Sequence, residues 1–387
     1  MKNEKITLTI KNCNIVLEWG IVYDGVLLVA GDRIAAYGSE RELEIPEGVE
    51  VVDAHGRYVG PGFVDLHVHG GDGGVLVYEP KAAAEHFLKH GTTTLLASPW
   101  YKLGFEVFLE CIERVKAAMP ECPTIRGFYM EGPYTNQKYG SHAAVNPWRQ
   151  GVVEEEYRAL VDAAGELAFA WTVAPELEGI GDFVRYARKV NPSTVIAVGH
   201  SEATPDEIRA LGPAYRPTLA THVTNATGQQ GRLGGIIGAG PDEYSFLSPE
   251  VYCELISDSR GIHVKPDIQR MILEIKGVDK IVLVTDGTNN KNPAPAHLSH
   301  VDDINFSPAG EVSGSKLTMN KACRNIMSHT RVGITEAFIM ASRNPARVIG
   351  LDHELGSIEV GKRADLVIVD DRFNVEGVIL GGEVCRF

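Results

Sequence analysis

The spacing of hydrophobic and polar positions changes twice along the chain. From residue 5 to about 55, short alternating stretches (Ile6-Thr7-Leu8-Thr9-Ile10, Gly25–Ala30, Arg33–Tyr37) are broken by Gly and Asn/Asp turns, which predicts strands. From about 60 to 345, compact apolar runs alternate with longer segments of helical period. The runs are Tyr58–Leu66, Thr92–Ala97, Thr124–Met130, Leu167–Val173, Thr194–Val198, Thr218–Ala220, Val251–Ile256 and Lys280–Val284. Eight is the number of doubly buried parallel strands in a (β/α)8 barrel. Helices are predicted over Glu79–His90, Phe105–Met119, Glu154–Ala164, Phe183–Val190 and Pro266–Lys276. Strand texture returns over Gly356–Val369 and Val375–Val384. The expected class is α/β: a (β/α)8 TIM-type barrel over residues 58–355, with a small β-sandwich domain formed by both chain termini, residues 1–57 and 356–387. A doubly wound sheet is the alternative that eight helix-separated strands leave open.

Composition narrows the class. With 387 residues, 44% hydrophobic and 23% charged, the chain is an ordinary globular mixture long enough for one large barrel and a satellite. Lys and Arg total 37 against 51 Asp and Glu, a formal net charge of -14. That balance disfavours nucleic acid and anionic membranes as partners. A small anionic substrate stays compatible where local cations or a metal reverse the field. Cys13, Cys111, Cys122, Cys253, Cys323 and Cys385 are widely spaced with no Cys-x-x-Cys, which favours reduced, buried thiols over disulfides. The first residues read as a strand and lack the apolar core of a signal peptide, so a cytoplasmic enzyme is expected.

The chemistry stands at the ends of the apolar runs, where barrel enzymes carry their active sites. Run one ends in Asp65-Leu66-His67-Val68-His69-Gly70. On an extended strand, His67 and His69 face the same side and converge on one ion. Run three ends in Glu131-Gly132-Pro133; a carboxylate there needs a partner, either an Arg or a pair of cations. Runs five and six end in Gly199-His200-Ser201 and Thr221-His222, and run eight in Thr285-Asp286-Gly287. Asp after a strand is most often a helix cap, but Asp286 also stands where a metal-adjacent general base belongs. Four imidazoles and two carboxylates suffice for a two-metal site with open positions. Gly199-His200-Ser201-Glu202-Ala203 approaches the nucleophile elbow of serine hydrolases but ends in Ala in place of Gly.

These segments resemble the amidohydrolase superfamily and, within it, the N-acetylglucosamine-6-phosphate deacetylase family. The resemblance runs from Pro61–Gly70 through Glu131-Gly132-Pro133, Gly199–Thr204, Thr221-His222 with Asn225-Ala226, and Leu283–Gly287 to Ser313–Met319 and Gly361–Leu366. It implies hydrolysis of the N-acetyl amide of an N-acetylhexosamine 6-phosphate. It implies His67, His69, Glu131, His200, His222 and Asp286 around two divalent ions (Zn, Fe, Mn or Co) bridged by Glu131, with Asp286 activating the water. His142 then helps polarise the amide carbonyl. Ser141, His142, Asn225, Ala226, His263 and Ser313-Gly314-Ser315 form the expected substrate-contacting set. Arg232 is expected to bind the sugar phosphate across a homodimer interface, with Arg260 as an extra cation. The chain departs from the family at Asn225-Ala226-Thr227, in the shorter loop up to Arg232, and at Asp258–His263, two residues longer than usual. All three changes fall on the sugar and phosphate side. A related hydrolase of another N-acylated amine or a cyclic amide is the competing expectation.

Overall fold

The computed structural model describes residues 5–141, 146–230 and 238–387. The N-terminal segment supplies β1 (Leu8–Leu17), β2 (Gly20–Ala30), β3 (Arg33–Ser39), β4 (Glu50–Asp53) and β5 (Tyr58–Pro61). The barrel follows with β6 (Phe63–Val68), β7 (Thr92–Ala97), β8 (Ile125–Met130), β9 (Ala168–Val173), β10 (Val195–Val198), β11 (Leu219–Ala220), β12 (Tyr252–Leu255) and β13 (Ile281–Leu283). The C-terminal segment adds β14 (Leu366–Val369), β15 (Val375–Leu380) and β16 (Glu383–Val384).

Barrel strands pair in parallel and in sequence order from β6 to β13, so the doubly wound alternative does not apply. The β6–β13 seam is joined through the residues just past β13. Thr285 donates from its hydroxyl (2.5 Å) and its amide (3.3 Å) to buried Asp65, Asp286 N donates to His67 O at 3.0 Å, and Val68 bridges Gly287. Helices follow the strands and place apolar faces on them. The helix Phe105–Ala118 buries Phe108, Cys111, Ile112 and Val115 in one cluster with Leu95, Phe128 and Trp171. Each such side chain contributes roughly 1.5–3 kcal/mol of transfer free energy. The helices Pro205–Ala210, Pro241–Leu247 and Met319–Thr330 were not expected from periodicity. The first two span only about two turns, although Thr204 and Glu207 form a capping box that marks the start of the first.

Strands from both termini join one eight-stranded sheet, in the order β16-β15-β14-β5-β1-β2-β3 with β4 also on β1. Tyr58–Pro61, expected in the first barrel strand, pairs instead with β1 and β14; the barrel begins at Phe63. Backbone bonds from Ile34 N to Lys362 O and Ala364 N to Asp32 O bring the β3 edge against the segment entering β14. The expected sandwich is therefore one sheet turned back over a core that includes Ile10, Ile15, Val29, Leu366 and Ile368. No helix among the described residues is long and apolar enough to cross a membrane.

Candidate metal centre and active-site cavity

Six side chains converge where the barrel strands end. Three of them stand in left-handed backbone: His200, His222 and Asp286 have φ of 47°, 26° and 45°. Such geometry costs on the order of 1–3 kcal/mol per residue and persists only where neighbours over-determine it. They do so here: Asn136 N donates to His200 O (2.8 Å), Ser315 N to Asp286 O (2.8 Å), and His222 N to Glu254 Oε2 (3.1 Å).

The ligand atoms form two adjoining groups, His67 with His69 and Asp286, and Glu131 with His200 and His222. In the second, His200 Nε2 lies 2.8 Å and His222 Nε2 3.2 Å from Glu131 Oε1, and the two nitrogens are 3.0 Å apart. In the first, His69 Nε2 is 3.2 Å from Asp286 Oδ1 and 3.5 Å from Glu131 Oε2. His67 Nε2 lies 3.7 Å from Glu131 Oε1 and 4.0 Å from Asp286 Oδ1. Glu131 thus touches both groups through its two oxygens.

The outer nitrogens fix the tautomers. His69 Nδ1 lies 2.7 Å from Ser98 O, a carbonyl that only accepts, so Nδ1 carries hydrogen and the Nε2 lone pair faces inward. His67 Nδ1 meets the Glu254 carboxylate at 3.1 Å, leaving the buried Nε2 without a hydrogen-bond partner. Lone pairs aimed at two carboxylates repel unless a cation stands between them, so this donor set fits divalent metal ions.

The titration directions agree with that charge demand. Burial penalises the Glu131 carboxylate, yet the His200 charge and hydrogen bonds from His200 and His222 hold it well below the usual range. Burial is likewise outweighed at Asp286, which its contact with His69 and the surrounding imidazoles hold below the usual range. At His222, burial alone would lower the pKa, but the hydrogen bond to Glu131 and the Asp286, Glu131 and Glu254 charges raise it to about 9. At His200 burial prevails, and the pKa falls.

A cavity of about 540 Å³ opens over this cluster. Ser141, Asn225, Ala226, His263, Ser313 and Gly314 line it, together with His69, Glu131, His200, His222 and Asp286. Asp258 orients His263 through a 3.2 Å contact to Nδ1, and the buried His263 Nε2 has no hydrogen-bond partner. Two members of the expected substrate set lie elsewhere. Ser315 is fully buried behind the wall, its hydroxyl donating to Thr285 O at 2.6 Å, because it belongs to the backbone that fixes the Asp286 turn. Arg260 is exposed and does not line the cavity, because the extra residues between Asp258 and His263 turn outward over the Asp258 carboxylate. His142 and Arg232 lie outside the described residues.

Several contributors were not read from sequence. Glu254, wholly buried on β12, accepts from both His67 and the His222 amide; a lone acid inside the apolar run Val251–Ile256 was its signal. Tyr129 stacks on His67 with centroids 4.5 Å apart, and its hydroxyl joins Thr221 at 2.9 Å. Trp100, Tyr101, Lys102 and Thr288–Asn290 line the cavity from loops whose sequence gave no signal.

The Amidohydrolase family model matches residues 58–385. An N-acetylglucosamine-6-phosphate deacetylase of Haemophilus influenzae is 28% identical, with 96% of this chain and 97% of that protein covered. An N-acetylgalactosamine-6-phosphate deacetylase of Escherichia coli O157:H7 is also 28% identical, covering 99% and 100%. The structure of a Mycobacterium smegmatis N-acetyl-D-glucosamine-6-phosphate deacetylase mutant in complex with N-acetyl-D-glucosamine-6-phosphate is similar at 27% identity and TM-score 0.80, covering 99% of each chain. Eight barrel strands with imidazoles and carboxylates gathered at their ends, and a family match over most of the length, lead to one conclusion: the chain belongs to the amidohydrolase family and is a hydrolase.

Proposed function

We propose that this enzyme removes the acetyl group from an N-acetylhexosamine 6-phosphate, foremost N-acetylglucosamine 6-phosphate, releasing acetate and the amino sugar phosphate. The observation that carries the reading is the convergence of four imidazoles and two carboxylates, all but His67 on the wall of one cavity of about 540 Å³. The full-length relatives that act on phosphorylated N-acetyl sugars support it.

His67, His69 and Asp286 would hold one divalent ion and Glu131, His200 and His222 a second, with Glu131 reaching both groups. A bound divalent metal lowers the pKa of water and polarises a carbonyl oxygen. The chain's own residues do the rest. Asp286, held ionised by His69 and its neighbours, takes the proton from the water that attacks the acetyl carbon and returns it to the nitrogen as the C–N bond breaks. His142 is assigned to the carbonyl oxygen by the family resemblance, and Asn225, Ala226 and His263 to the sugar. The reading also includes a homodimer, in which Arg232 of each chain serves the neighbouring site, and a cytoplasmic location.

Acetate release from phosphorylated and free N-acetylhexosamines, by the parent and by Asp286→Asn, tests this directly. The expected result is preference for the phosphorylated sugars and a loss of several orders of magnitude in kcat in the variant, with metal content largely kept. Near-parental turnover by Asp286→Asn removes that residue from the mechanism. Equal cleavage of phosphorylated and free sugars removes the phosphate.

A further inference from the structure

Lys102 is the only Lys or Arg among the described residues that line the cavity. It follows β7 in a loop over the site and is half-buried. Its ammonium donates to Ser141 Oγ at 2.9 Å and rests 5.7 Å from the centroid of the Tyr101 ring. Tyr101 is itself pinned, its hydroxyl donating to Ser141 O at 3.0 Å. Ser141 Oγ meets Ser313 Oγ at 3.0 Å, and Asn290 Nδ2 donates to that same Ser313 oxygen at 3.2 Å. Lys102, Ser141, Ser313 and Asn290 therefore form one polar chain across the cavity wall, drawn from three loops and the strand Val312–Ser315.

An ammonium has three donors, and the hydroxyl takes one. Burial lowers the Lys102 pKa, and the Glu131 and Glu311 charges partly restore it, as expected for a partly desolvated cation. Partial desolvation makes a charge-assisted bond to an anion stronger than at an open surface. The wall also carries Glu131, Asp286 and Glu311, and the chain carries a net charge of -14. An anionic substrate entering here needs a positive group on its path, and Lys102 is placed to be one.

We infer that Lys102, held by Ser141 and Tyr101, is a specificity-determining residue that binds the phosphate of the sugar substrate within the same subunit as the metal ligands. The inference rests on the deacetylase reading and adds to it a cation absent from the family pattern traced in the sequence. The test is KM and kcat of the metal-loaded enzyme for N-acetylglucosamine 6-phosphate and for N-acetylglucosamine, in the parent, Lys102→Met and Lys102→Arg. Removing one charge-assisted contact should raise KM for the phosphorylated sugar about 10- to 100-fold. The ratio of the two KM values collapses in Lys102→Met, while Lys102→Arg keeps most of the discrimination. A parental KM ratio in Lys102→Met overturns the assignment while the deacetylase reading stands, and so does an equal rise for both sugars. A parent that cleaves neither sugar overturns the reading and the Lys102 role with it.

Discussion

His222 shows how far single residues at this site depart from their ordinary chemistry. In metal-free protein its pKa rises from 6.5 to about 9 through Glu131 and the neighbouring carboxylates, against the effect of burial. A raised folded-state pKa stabilises the fold fully below pH 6.5, and that contribution, on the order of 3 kcal/mol, is lost as pH rises through about 9. Metal binding has the opposite dependence, since it needs the unprotonated Nε2. Denaturant midpoints of chelated protein should therefore fall between pH 6.5 and 9.5, and metal-loaded protein should not follow. An unchanged midpoint in the chelated protein contradicts the proton-for-metal exchange. His67, His69, Glu131, His200, His222 and Asp286 were all legible because each ends an apolar run. Glu254 was not, because a buried acid in a strand has no sequence signature separating a metal-site support from a salt bridge. Lys102 was not, because its position depends on loop geometry.

At the scale of elements, the seam between β6 and β13 carries candidate metal ligands on both sides. Asp65 on β6 accepts two hydrogen bonds from Thr285, directly before Asp286. Burial pushes the Asp65 carboxyl up to about 7, partly offset by those bonds. Asp65→Ala leaves the Thr285 hydroxyl and amide without an acceptor, which should cost about 2–4 kcal/mol. The measurement is thermal unfolding: a lowered Tm is expected, and an unchanged Tm shows that the seam does not depend on Asp65. The strand count and five helices could be read from periodicity. The boundary at Tyr58–Pro61 could not, since those apolar residues run on into β6 and only pairing with β1 and β14 separates them. Short helices such as Pro205–Ala210 fall below the length at which a helical period can be counted.

Across the whole molecule, the terminal sheet and the barrel share apolar packing. Phe63 stacks on Phe338 at the junction and Phe373 packs tilted against both, and Val16, Val367 and Val378 lie in the same buried cluster as barrel residues Val198 and Leu283. That packing braces the start of β6, the strand that carries His67, through Phe63. Candidate ligands separated by more than two hundred positions in sequence thus meet because β6 and β13 are joined at one seam. The most direct measurement is acetate release from N-acetylglucosamine 6-phosphate before chelation, after chelation, and after addition of Zn²⁺, Fe²⁺, Mn²⁺ or Co²⁺, with elemental analysis at each stage. A metal centre in the barrel mouth predicts activity that falls to background with the metal and returns with it. Undiminished acetate release from protein that contains no metal would contradict it.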